Sequence, residues 1–321
     1  MNIRKKATAL ATDDNRDLGF GSVVASASRQ RLLNRDGSFN VARSGLGFWP
    51  SLSLYHTLIT TSWLRFFASV TFSYLLFNSF FAAIYFFCGP EALNGGGTEL
   101  GILRTFFFSI QTFATIGYGH ISPFGLVPNM IVTFESLVGL LWLALATGLV
   151  FARFSRPTAK IAFSQFALIA PYRGLTAFEF RIVNERKNQI VELEAKVIFS
   201  CFVESGGKRV RRFDPLNRER NKVSFFPLNW TIVHPIDETS PLNGLTEQDF
   251  LESEAEILIL LTGMDETFSQ TVHARSSYNF DEIVWNAKFN SLYNQPAKNG
   301  RVTIDMRRLH EFEKIAASPS A

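Results

Sequence analysis

A chain of 321 residues has room for two domains. Its hydrophobic fraction of 47%, its 33 phenylalanines and its mean hydropathy of +0.10 argue against an ordinary soluble enzyme and against a protein embedded in lipid throughout. A membrane part joined to a water-soluble part fits both numbers. The net charge of +4 is modest, and a membrane surface accounts for the basic residues, so no nucleic-acid partner is implied. Cys88 and Cys201 make neither a disulfide framework nor a spaced metal set and read as two unpaired, buried thiols.

Residues 1–48 are polar, with Lys and Arg scattered among Ser, Asn and Asp and no apolar core of signal-peptide type. They predict a cytoplasmic N-terminal segment. In "WPSLSLYHTLITTSW", Trp49 to Trp63, Pro50 can open a helix, and Leu52, Tyr55 and Ile59 recur at helical spacing. The pattern predicts an interfacial amphipathic helix over 49–62, with an ordinary linker as the alternative.

From Phe66 to Pro90 the chain runs 25 residues without Asp, Glu, Lys or Arg, against about 20 needed to cross the hydrocarbon. With Trp63 and Arg65 as interfacial anchors, a span is predicted at about 63–88. A second is predicted at about 129–154. It carries one acid, Glu135, and a basic exit at Arg153 and Arg156. Basic residues gather before the first span and after the second, so both termini are expected in the cytoplasm. The implied localisation is the inner (plasma) membrane.

Between the spans, "GILRTFFFSIQTFATIGYGH" is too short to cross and return as two helices. It suits a re-entrant segment: a short helix from about Ile102 to Ala114, then extended chain, the two together filling 102–119. Such backbone must be buried in protein or line a watery path. Gly117 and Gly119 can take positive φ at little steric cost, which lets successive carbonyls face one way. The carbonyls of Thr115, Ile116, Gly117 and Tyr118, with the Thr115 hydroxyl, would then form stacked oxygen rings. One chain supplies a quarter of each ring, so four chains are implied. TIGYG differs from the TVGYG loop of potassium filters only by isoleucine for valine. Gly119 completes the motif, and Tyr118 is expected to pack outward on the pore helix.

After Pro157 the texture changes to period two. Phe178, Phe180 and Ile182 alternate with Glu179 and Arg181, and "QIVELEAKVIFSCFV" and "EAEILILLTG" read as strands between turn-rich stretches. A β-sandwich is predicted over 157–310, following a pore domain over 63–156, with a disordered tail over 311–321.

"ATIGYG", the "ARFSRP" exit from the second span, "LNWTIVHPIDETSPL" and "HARSSYNFDEIVW" together resemble the inward-rectifier potassium channel family, in particular its prokaryotic members. The resemblance runs from about Leu33 to Phe289. It implies a homotetramer whose membrane α-helical two-span pore domain, with its re-entrant helix, joins a cytoplasmic all-β immunoglobulin-like sandwich. It implies passive conduction of K+, no enzymatic reaction, and no cofactor beyond K+ ions held at Thr115, Ile116, Gly117 and Tyr118.

The resemblance also places Gly139, Leu143, Thr147 and Phe151 on the pore. Gly139 is either a hinge or a close-packing position, and Phe151 either a gate ring or a packing residue. Leu143 stands where strongly rectifying relatives carry an acid, so weak rectification is expected. Animal relatives flank the filter with a Glu–Arg pair. Gln111 and Ile121 stand at the matching places here, and Glu135, with Gln111 and Thr112, is the candidate filter support. Arg153, Arg156 and Lys160 are candidate contacts for anionic lipid, phosphoinositide or similar, with plain topology as the alternative reading. His120, just outside the filter, is a solvated histidine or a sensor of external pH. His234 and His273 lack ligand spacing and read as structural. Two other classes stay open: a membrane-anchored β-sandwich scaffold, and a poorly selective cation channel.

Overall fold

The computed structural model describes residues 18–19, 31–40, 53–96, 101–155, 159–186, 188–226, 228–294 and 302–315. The chain divides into two compact units, one of residues 44–156 and one of residues 1–43 with 157–321.

In the first unit, helix α1 covers Leu54–Thr60, shorter than the predicted 49–62, of which residues 49–52 lie outside the described set. Ser53 caps it by accepting from the His56 amide. Helix α2, Trp63–Phe87, begins at Ser62, whose hydroxyl accepts from the Arg65 amide. Strand β1, Leu93–Gly95, precedes helix α3, Gly101–Phe113, and strand β2, Ile121–Pro123, follows it. Helix α4, Leu126–Phe154, starts three residues before the predicted span. Pro128 falls in its first turn, where a missing amide proton breaks no helical bond. Helices α2 and α4 are long and apolar enough to cross a membrane.

A compact apolar cluster joins these elements: Phe81 and Tyr85 of α2, Phe108 and Phe113 of α3, Leu93 of β1 and Ile121 of β2. Tyr74 and Trp142 edge it, and the Trp142 indole donates to the Ser73 hydroxyl at 3.2 Å. Much of the remaining apolar surface of α2 and α4 faces outward, as a lipid-facing or subunit-facing helix requires. Cys88, at the end of α2, is exposed rather than buried. The apolar run ends there, so no partner helix covers it.

The second unit is a sandwich of two five-stranded sheets. One runs β11 (Gln270–Asn279), β10 (Glu256–Asp265), β6 (Ile190–Ser205), β7 (Lys208–Pro215); β8 (Lys222–Phe226) shares the β7 edge of β6. The other runs β12 (Ile283–Trp285), β4 (Ala167–Tyr172), β5 (Leu175–Asn184), β3 (Ile161–Phe163), with β9 (Asn229–Ile236) on the far edge of β5. Alternation builds the core: Phe178, Phe180 and Ile182 of β5 meet Val197 and Phe199 of β6 and Ile257 and Ile259 of β10. Cys201 lies in this core, and burial pushes its thiol up to about 11. The outward face of β5 is covered in turn. Val183 packs with Leu292 and Leu309, while Ala287 and Phe289 of β13 (Ala287–Phe289) pack on Leu168. Strand β14, Phe312–Lys314, pairs with β13, so order extends past residue 310, where the tail was expected to begin. Residues 316–321 lie outside the described set.

Part of the polar N-terminal segment belongs to this sandwich. Leu32 and Leu33 are buried with Phe213 and Leu258. The Leu32 and Leu33 amides donate to the Glu256 carboxylate, which also pairs with Arg211 at 3.0 Å. Both side chains of that pair are at most 3% exposed. Attraction in this dry site offsets desolvation only while both partners stay. Glu256→Ala is therefore expected to destabilise the folded protein by about 3–5 kcal/mol, read as a lowered unfolding midpoint in detergent. Glu256→Leu with Arg211→Met should recover only part of the loss, because it removes the unpaired charge but leaves the Leu32 and Leu33 amides without an acceptor.

His234, on β9, is buried. Its Nδ1 bonds the Asn217 carbonyl at 2.5 Å and its Nε2 the Ser240 hydroxyl at 2.7 Å. Burial lowers its pKa below the usual 6.5, against smaller opposing effects of the Asn217 bond and Asp237. Between that lowered value and 6.5 the unfolded chain binds more protons, so His234 subtracts stability as pH falls through that window. The unfolding midpoint of His234→Asn should change less between pH 7.5 and 5.5 than that of the wild type.

Candidate functional site

The TIGYG segment follows α3 directly. Thr115, Gly117 and Gly119 have φ of 56°, 62° and 74°, while Ile116 and Tyr118 between them do not enter the positive region. This alternation of hand turns successive carbonyls to one side, where a strand would alternate them. The glycines adopt it freely. Thr115 does not: a β-branched residue at positive φ is strained, typically by about 1–3 kcal/mol. Sequence reading missed this third left-handed position because threonine carries no glycine-like signal.

The end of α3 holds that strained entry. The Ile116 and Gly117 amides donate to the Gln111 carbonyl at 2.8 and 3.2 Å, and the Thr115 amide donates to the Thr112 carbonyl at 3.0 Å. Gln111 and Thr112 thus support the segment through their backbones. Tyr118 is 74% exposed. Its ring meets no other aromatic ring among the described residues of the single chain. His120 is exposed.

Glu135 sits one layer away from the segment. It is fully buried and accepts from Tyr85 Oη at 2.6 Å and from Ser109 Oγ at 2.5 Å. Asn78 Oδ1 lies 3.2 Å from the same Ser109 hydroxyl, and Asn78 donates to the Tyr74 carbonyl. The acid therefore ties α2, α3 and α4 together and bonds no backbone of TIGYG. Tyr85, Asn78 and Ser109 were not singled out from sequence. The available signal was polar atoms inside apolar helices, which must find each other in lipid.

Gly139 is buried against the C-terminal end of α3. A β-carbon there would lie 2.4 Å from the Phe113 carbonyl oxygen. Leu143, Thr147 and Phe151 are exposed, Phe151 by 71%. Four-residue steps overshoot a turn by about 40° each. A row that starts on α3 at Gly139 has therefore rotated about 120° by Phe151, which takes the inner end of the row away from α3.

Arg153 does not reach outward as a lipid contact would. Its guanidinium donates to the Leu58 carbonyl at 2.7 Å, to that of Ile59 at 3.2 Å, and to that of Thr61. These are orphan carbonyls at the end of α1. The cation also lies 4.4 Å from the Trp63 ring centroid and 5.1 Å from that of Phe66. Arg156 lies outside the described residues, and Lys160 is exposed. No cluster of metal-ligating side chains occurs among the described residues.

Residues 161–321 match the family model for the inward rectifier potassium channel C-terminal domain, and residues 73–156 match the ion channel model. The chain belongs to the inward rectifier potassium channel family. It is 40% identical to the inward rectifier potassium channel Kirbac3.1 of Paramagnetospirillum magnetotacticum, over 91% of this chain and 99% of that one. It is 28% identical to inward rectifier potassium channel 4 of Homo sapiens, over 94% of this chain and 76% of that one. The two-span membrane unit and the β-sandwich follow the architecture of this channel family, which is not a family of enzymes.

The Glu135 bridge gives a test within this channel. Glu135→Leu leaves the buried Tyr85 hydroxyl without an acceptor, worth about 1–3 kcal/mol, and leaves the Ser109 hydroxyl only Asn78 Oδ1. Its thermal midpoint in detergent should fall well below that of Glu135→Gln, which keeps one acceptor.

Proposed function

We propose that four copies of this chain form a potassium-selective pore of inward-rectifier type, with Thr115–Gly119 as its filter. The observation that carries this reading is the alternating hand at Thr115, Gly117 and Gly119, in a segment that follows a re-entrant helix between two spans. K+ ions would sit between carbonyls of Thr115, Ile116, Gly117 and Tyr118, exchanging hydration oxygens for fixed ones. The exposure of Ile116, Tyr118, Leu143 and Phe151 in a single chain supports assembly, because apolar side chains at a pore or between subunits gain cover only from other copies.

Leu143, Thr147 and Phe151 line the inner path, and Phe151 is its narrow apolar ring, which closes by excluding water. Leu143 carries no charge to hold a blocking polyamine or Mg²⁺, so rectification is weak. Both termini lie in the cytoplasm, and the sandwich acts on the gate from there. Contact with anionic lipid headgroups falls to Arg156 and Lys160, because Arg153 is engaged with α1.

The test is tracer flux into liposomes holding the purified protein, with Na+ competition and Ba²⁺ block. Gly117→Ala is run beside the wild type. A β-carbon at Gly117 meets nothing within 4 Å in the chain, so the substitution acts through the left-handed backbone. Flux that prefers K+, stops with Ba²⁺ and falls at least about tenfold in the variant, with tetramers intact, is expected. Flux in Gly117→Ala equal to wild type, with the same ion preference, would overturn the filter assignment.

A further inference from the structure

The outer end of the TIGYG segment is held by a second device, on the opposite side from the Gln111 carbonyl. Just past Gly119, β2 pairs antiparallel with β1: Gly95 faces Ile121, Asn94 faces Ser122 and Leu93 faces Pro123. The Phe124 amide extends the pairing to the Ala92 carbonyl at 2.9 Å. Gly95 lies so close to the chain leaving the filter that a β-carbon there would sit 1.9 Å from the His120 carbonyl oxygen. Its φ of 78° is also one that other residues resist. No larger residue at 95 leaves His120 in place.

Strand β1 is in turn fixed to the pore helix. Arg104, in the first turn of α3, donates to the Leu93 carbonyl at 2.7 Å. Its side chain fills the space that a β-carbon on Gly96 would take, 2.8 Å from Nε. A cation at a helix N-terminus opposes the helix dipole, so Arg104 is not placed there for the stability of α3. The chain therefore makes a closed ring: α3, the filter, β2, β1, Arg104 and α3 again. One helix grips the filter at both ends, through Gln111 and Thr112 at the inner end and through Arg104 and β1 at the outer.

We infer that Gly95 and Arg104 are positioning residues for ion selectivity, holding the outer filter in its alternating conformation by clamping β2 to the start of the pore helix. They touch no ion. The inference rests on Thr115–Gly119 being the filter. It explains how a strained Thr115 persists: with both ends of a short segment fixed to one rigid helix, the backbone has no slack in which to relax.

The experiment compares wild type, Gly95→Ala, Arg104→Gln and Gly89→Ala in liposome flux, reading K+ over Na+ preference and Ba²⁺ block. Tetramer content is measured by gel filtration. Gly89→Ala is the control. It has a similar left-handed φ of 91° but nothing within 4 Å of the missing β-carbon, so it carries backbone strain without displacing His120. Expected is a fall in K+ over Na+ preference of about tenfold or more in Gly95→Ala and a smaller fall in Arg104→Gln. Ba²⁺ block should weaken in parallel, with tetramers retained and Gly89→Ala like wild type. If Gly95→Ala does not assemble, Arg104→Gln decides alone. Wild-type preference and Ba²⁺ block in the variants that assemble, or an equal loss in Gly89→Ala, would overturn the clamp while leaving the filter intact. A wild type without K+ preference would instead remove the filter reading beneath it.

Discussion

Backbone that is neither helix nor sheet has to be held by its flanks when it lies at membrane depth, because lipid offers no hydrogen bonds. In this chain the burden falls on α3. Its last turn receives the Ile116 and Gly117 amides, its middle gives Ser109 to Glu135, and its first turn sends Arg104 to Leu93. The two spans are arranged around it. Phe81 and Tyr85 of α2 pack on its apolar face, and α4 reaches it closely only because position 139 has no side chain. Removing α3 from this picture leaves two apolar helices with little to hold them apart and nothing to hold the strained Thr115 and the four residues after it.

Much of the architecture was legible in advance. The spans could be read because lipid demands long uncharged runs, and α3 because the stretch between them was too short for anything but a re-entrant turn. Left-handed glycines at 117 and 119 followed from residue type. The strands with the clearest alternation, β5, β6 and β10, are central ones in their sheets, where one face must be apolar. Short edge strands such as β3, β12 and β14 carry three residues each, too few to show a period.

What escaped sequence reading was contact between distant segments. Arg153 looked like one of a basic cluster, because its neighbours in sequence are basic; its partners are carbonyls more than ninety positions earlier. Glu256 gave no sign that its carboxylate would receive amides from Leu32 and Leu33. The N-terminal segment therefore read as a polar leader, although residues 31–40 are built into the sandwich. Gly95 was not singled out from the sequence, and the constraint that requires glycine there comes from His120, a residue on the far side of α3 in the chain. Four-residue spacing placed Gly139 with Leu143, Thr147 and Phe151, but the drift of a 3.6-residue helix carries the end of that row about 120° from its start.

The close contact of α4 with α3 makes the helix a lever. Its fulcrum is Gly139, pressed on the Phe113 carbonyl below the filter. Phe151 lies twelve residues further on, an arm of about 18 Å at 1.5 Å per residue. A tilt of only ~10° about the fulcrum would carry the Phe151 side chain through about 3 Å, while the packing of α4 on α3 stays still. The handle of the lever is Arg153, two residues beyond Phe151 and bonded to the end of α1. Any sideways pull on that short helix is delivered to the far end of the arm, where the displacement it produces is greatest.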